Sequence, residues 1–332
     1  MTSRVRMTVA TVAMTACGLV GCGGMSTPTA AHTSPTNDGV TPFPKADGSA
    51  VALGARVRTG GQPCGVAGAA GAVWVSDAQH GLLLRIDPRT RTVNVTAKLD
   101  PTPCEIATGY GSLWVVTQSG RLDRVDPRTG HVLARIRTGA TSYESVAGAG
   151  SIWVSNRDDG TVDRIDPRTN RVVETVHVDG NPGGVVFAAG ALWVGNDESG
   201  SDRFFRVDPA TAQVTRVRAG NRPGYVASAG GSVWVSNVDD GTVTQIDPAS
   251  GRTVRTIRAG LSPVNLAGTG GAHPDVWVPD DVGSAVYRID ARTGAMLGAV
   301  HVAGNPAVAT PVGRQIWVSL FQGGAVLRLS AR

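Results

Sequence analysis

Ser112-Leu113-Trp114-Val115-Val116-Thr117, followed by Arg124-Val125-Asp126-Pro127-Arg128-Thr129-Gly130, carries two markers that return in order along the chain. The first is a tryptophan with an apolar residue before it, at Trp74, Trp114, Trp153, Trp193, Trp234, Trp277 and Trp317, and these seven are all the tryptophans present. Their spacings run from 39 to 43 residues. The second is Arg-x-Asp-Pro, found as Arg85-Ile86-Asp87-Pro88, Arg164-Ile165-Asp166-Pro167 and Arg206-Val207-Asp208-Pro209. It varies to Gln245-Ile246-Asp247-Pro248 and Arg288-Ile289-Asp290-Ala291, and degrades to Arg328-Leu329-Ser330-Ala331. A third marker, Pro or Ser eleven residues before the tryptophan, appears in most copies. A fixed period of about 40 residues over most of the chain means a repeat architecture occupying one domain.

Within one copy, short apolar segments alternate with turn residues, which reads as four strands: 104–108, 112–117, 121–126 and 131–138. In Asp126-Pro127-Arg128-Thr129-Gly130 the aspartate opens a turn, the proline supplies a preset φ and the glycine accepts a positive one, so these aspartates are expected to be turn residues. The second strand, as in Val73-Trp74-Val75, is apolar on both faces, as a sheet covered on both sides by neighbouring sheets requires. Seven such sheets around an axis predict an all-β, seven-bladed β-propeller with four-stranded blades over 51–332. The seventh copy ends after its third strand, while Gly54-Ala55-Arg56-Val57-Arg58-Thr59-Gly60 resembles fourth-strand endings such as Arg135-Ile136-Arg137-Thr138-Gly139. The N-terminal segment is therefore expected to complete blade seven and remove an open sheet edge.

Ahead of the repeats, residues 1–21 have a basic start and an apolar run shorter than the ~20 residues of a membrane span, the layout of a secretory signal. Leu19-Val20-Gly21-Cys22 resembles the lipobox of bacterial lipoproteins. That resemblance implies a diacylated Cys22 at the mature N-terminus, such as palmitate supplies, and a protein anchored on the outer face of the plasma membrane. Residues 22–50 are rich in Ser, Thr and Pro with almost nothing to form a core, and read as a disordered tether. The formal net charge is +5, falling to about +3 without the signal, and it is scattered, which argues against a nucleic-acid partner. A monomer is expected.

The repeat, with Val233-Trp234-Val235-Ser236-Asn237, Asp239-Asp240-Gly241 and Gln245-Ile246-Asp247-Pro248, resembles the YVTN family of β-propeller repeat proteins. It is also distantly similar to virginiamycin B lyase and to the PQQ-dependent quinoproteins. The lyase resemblance would imply histidine and glutamate near a bound Mg²⁺ at the propeller mouth. Here His32 falls in the tether, His131, His177 and His301 on or beside outer strands, and His273 in an insertion of copy six, leaving His80 in a mouth loop. The quinoprotein pattern of a tryptophan after the Thr-Gly turn is replaced by His131-Val132-Leu133 and Arg252-Thr253-Val254. No nucleophile elbow, phosphate-binding loop, Cys-x-x-Cys or His-Glu-x-x-His occurs, so no catalytic residues, cofactor or metal are assigned.

In a propeller the loops from fourth to first strands and from second to third strands share one face, called here the top. The first kind carries Glu105, Tyr143, Glu144, Tyr225 and Asn265; the second carries His80, Asn156, Asp158, Asn196, Asn237, Asp239 and Asp280. They differ between copies where the scaffold does not, and variation on one rim is how a repeat scaffold acquires a binding site. A non-enzymatic module binding a protein, peptide or envelope glycan is the leading expectation; a lyase or hydrolase using Glu105 or Glu144 at the channel mouth is the alternative. Cys64 and Cys104 hold the same repeat position in adjacent blades. A channel of roughly 7 Å radius would put their Cα atoms about 6 Å apart, within disulfide range, although two reduced thiols in register fit the pattern as well.

Overall fold

The computed structural model describes residues 51–331; the signal segment, Cys22 and the tether lie outside the described residues. Seven four-stranded antiparallel sheets follow one another along the chain. Six use four consecutive strands each, and the seventh has the order Val51–Arg58, Ala325–Ala331, Gln315–Leu320, Pro306–Val312. The first strands of successive blades pack against one another around the ring, the last against the first. This is a seven-bladed β-propeller closed by its N-terminal strand, which pairs from Val51 opposite Ala331 to Arg58 opposite Ala325. The backbone N–H groups of Thr59 and Gly60 then both donate to Gly324 O.

The strands of blade two are Pro103–Gly109, Ser112–Thr117, Arg121–Val125 and Val132–Arg137, close to the sequence reading. Blade six departs from it: its first strand is only Ala267–Gly268, preceded by isolated bridges at Pro263 and Asn265. Second strands such as Ala72–Asp77 and Ser151–Asn156 are buried along their whole length. The turn aspartates do what their setting predicts. Asp126 Oδ1 accepts from Arg128 N at 2.8 Å, and Asp87 Oδ1 from Arg89 N and Thr90 N. These backbone donors hold the Asp87 and Asp126 carboxyls below their ordinary range.

The tryptophan and arginine markers form one device. Trp114 and Arg124 are cross-strand partners, and the guanidinium lies 4.9 Å from the indole centroid. Trp114 Nε1 donates to Gly109 O of its own blade at 2.9 Å, as Trp74, Trp153, Trp193 and Trp234 do to their equivalents. Arg124 Nη1 reaches across to Pro167 O, the Asp-Pro turn of the next blade, at 2.7 Å. Arg164 repeats this to Pro209 O, and Arg328 spans the seam to Pro88 O. Where glutamine replaces arginine, Gln245 Nε2 still donates to Ala291 O at 3.3 Å. A buried cation–π contact contributes roughly 1–2 kcal/mol and a charged hydrogen bond about as much again, so Arg124 and Arg164, which make both, tie their blades to the next.

Deleting Val51–Arg58 should expose the edge of Ala325–Ala331, lower the melting temperature and promote aggregation. Thermal unfolding with light scattering checks this, and an unchanged melting curve would contradict it.

Candidate functional site

Six of the seven second strands end at the top in a buried polar residue, and the seventh ends at Leu320. Asn156 and Asn237 are fully buried, as is Asp280. Asn237 Oδ1 accepts from Gly220 N at 2.9 Å while its Nδ2 donates to Thr242 and Thr244. Asn196 accepts from Asn181 N, and Asn156 joins Ser142 to Thr161 and Asp163. Asp280 accepts from Leu261 N, Ser262 N and Gly283 N, each at 2.9 Å. These residues clamp the incoming loop to the outgoing one, and their polar atoms point into the loops rather than onto the rim. His80, Asp158 and Asp239 are the members of that set that reach the surface. His80 Nδ1 contacts Asp77 Oδ2 at 2.6 Å, and Asp158 accepts from Thr141 Oγ1.

The residues placed at the channel by the first strands are brought together. Tyr143 and Tyr225, from blades three and five, meet through their hydroxyls at 2.6 Å and are buried. Gly184 lies between them in the ring, and a Cβ there would sit 2.9 Å from Glu144 Oε2 and 3.0 Å from Tyr225 Cα, so the gap depends on glycine. Above them Asp197 binds Arg157 and Arg222 at 2.6 Å each, and the Arg157 guanidinium stacks on Tyr143 at 5.2 Å. Beside this cap Cys64 and Cys104 form a disulfide with a Cα separation of 4.9 Å. Their sulfurs lie within 4.8 Å of a Glu105 oxygen, but as cystine they offer no thiolate to a metal.

Beneath the cap is a channel cavity of about 210 Å³. Its inner end carries Glu105, Glu144 and Asn265, and its walls are Val66, Ile106, Val185, Val226 and Leu266. The remaining lining follows the lower halves of the first strands to Ser228 and Pro311, which are exposed, so the cavity opens on the face opposite the top loops. Glu105 and Glu144 thus line an inner chamber instead of the top mouth. Asn265 Nδ2 donates to Glu105 Oε1 at 3.1 Å. Glu144 Oε2 is shut off from solvent with no hydrogen-bond partner. Burial pushes the Glu105 carboxyl up to about 7, the Asn265 donor pulling the other way. Burial, then the facing charge of Glu105, pushes Glu144 well above the carboxylate range, with the Val185 backbone N–H pulling the other way.

The sequence matches no known family model and no curated protein. Two solved structures illustrate its fold. A catalytically inactive virginiamycin B lyase from Staphylococcus aureus, determined with quinupristin, superposes with a TM-score of 0.73 at 14% identity, over 84% of this chain and 99% of that one. Hydrazine synthase from Kuenenia stuttgartiensis gives 0.70 at 15% identity, over 82% of this chain and 95% of the other. At such identities the likeness is one of fold, and the propeller relationship implied by the repeats is borne out.

The raised carboxyls set the pH dependence of stability. Between pH 4.5, where Glu105 ionises when unfolded, and about 7, the folded protein keeps a proton that the unfolded chain has released, so stability falls as pH rises. Asp123, pushed up to about 6 by burial, acts the same way over the lower part of that window. The expected melting temperature is highest near pH 5 and declines toward pH 8, with Glu105→Gln flattening the decline. A melting temperature that rises over this range, or an unchanged slope in the variant, would contradict the assignment.

Proposed function

We propose that this chain is an exported lipoprotein, held on the outer face of the plasma membrane by an acylated Cys22, whose propeller binds a protein, peptide or envelope glycan through its top face without catalysing a reaction. The observation that carries the binding part lies in blade six. Leu261 and Val282 are 54% and 63% exposed, and their loops are joined through Asp280 and by the Asp281 N to Ser262 O bond. Two exposed apolar side chains on loops tied to each other, on a face that also exposes His80, Asp158, Asp159, Glu198, Asp239 and Asp240, make the apolar centre and polar rim typical of a docking site. The point of chain entry supports the anchoring part. Val51 pairs with Ala331 at the end of the strand leading away from the top loops, so a tether from Cys22 joins the body on the opposite face.

The test uses living cells. The wild-type chain is expected to incorporate labelled palmitate and to crosslink to a partner from a photoreactive residue beside Val282. Cys22→Ala should abolish the label. Leu261→Asp with Val282→Asp should reduce crosslinking at least tenfold without changing the melting temperature. Palmitate on Cys22→Ala sinks the anchor, and undiminished crosslinking in the double variant sinks the docking surface.

A further inference from the structure

We propose that the channel cavity is a binding site for a primary ammonium group on a short, unbranched aliphatic stem. The inference rests on the reading of the propeller as a binding module and adds a second place on it, with its own ligand chemistry.

The cavity combines two features that seldom meet without a ligand. Its inner end holds two carboxyl groups and an amide, and one carboxyl oxygen, Glu144 Oε2, is buried with nothing donating to it. An acceptor desolvated in this way costs about 1–3 kcal/mol until a donor arrives. Among the described residues no Lys, Arg or His lines the cavity. Arg157 and Arg222, in the cap over it, are engaged by Asp197. A proton or an incoming cation must therefore balance the carboxyls.

The donor count and the walls select among cations. An ammonium offers three N–H donors, and the inner end offers three kinds of acceptor: Glu144 Oε2, the Glu105 carboxylate and the Asn265 amide oxygen. Below them, Val66, Ile106, Val185 and Leu266 make an apolar sleeve leading to the opening. An aliphatic stem matches that sleeve. A small divalent ion retains water ligands that need polar partners, and the only polar side chains lining the cavity below the carboxyls are Ser228 and Thr310, Ser228 exposed at the opening. The volume, on the order of seven waters, suits a short alkylammonium.

Calorimetric titration of the full-length protein in detergent at pH 8 with n-butylammonium chloride tests the proposal, with 1-butanol and with Mg²⁺ or Ca²⁺ chloride run in parallel. Saturable binding of butylammonium and none of butanol is expected, a contrast that needs no variant. Glu144→Gln and Glu105→Gln, each checked for an intact melting transition, should weaken binding at least tenfold. Absence of saturable binding, equal binding of butanol, or unchanged affinity in both variants overturns the proposal. Binding of Mg²⁺ or Ca²⁺ that depends on Glu144 and excludes butylammonium overturns it in favour of a metal site. The surface reading fails or stands separately: loss of the Leu261 and Val282 partner with ammonium binding intact supports the channel site alone.

Discussion

The pairing of Val51–Arg58 with Ala325–Ala331 is the interaction on which the rest of the molecule depends. Without its fourth strand the last sheet would leave Ala325–Ala331 as an unpaired edge, and here the missing strand comes from the other end of the chain. Once the ends meet, the blade-to-blade tie is made across the seam as well. Arg328 reaches Pro88 O across the seam as Arg124 reaches Pro167 O and Arg164 reaches Pro209 O elsewhere. The disulfide between Cys64 and Cys104 joins blades one and two, next to that seam. On a chain-entropy argument a crosslink closing a loop of about 40 residues contributes roughly 3–4 kcal/mol, and it holds blade one, the neighbour of the closing blade, to blade two.

Closure also makes the site. Glu105, Glu144 and Asn265 come from blades two, three and six, and they share a cavity because first strands circle one axis. The same geometry lets Tyr143 and Tyr225 meet across a glycine-bearing blade and cap the channel from above. The upper face is left with surface chemistry set by blade six and the exposed rim, while the protonatable groups face an apolar chamber below. Burial against that wall, more than any single neighbour, raises the Glu105 and Glu144 carboxyls.

The fold was legible because its markers are local. A tryptophan flanked by apolar residues and an Asp-Pro turn each declare their structure within a few residues, and repetition multiplies the signal. Cys64 and Cys104 were legible for the same reason, since equivalent repeat positions in adjacent blades are neighbours. Arg124 and its equivalents were visible only as a pattern, because their partners, an indole and a carbonyl of the following blade, are defined by packing. Asn156, Asn196, Asn237 and Asp280 read as rim residues since polar side chains in loops are usually solvated. Their loop partners lie 14 to 19 positions away, as with Ser142, Asn181, Gly220 and Leu261. The cap over Glu105 and Glu144 was illegible for a plainer reason: Tyr143 and Tyr225 are 82 residues apart, and nothing in either copy announces the other.

Hydrogen–deuterium exchange on the native full-length protein tests ring closure most directly, by following the amides of Val51–Arg58 against those of the third strands. The account predicts that the N-terminal strand is protected together with Ala325–Ala331 and loses protection only when that strand does. Exchange of Val51–Arg58 at the rate of an unstructured chain, while the third strands stay protected, would contradict it.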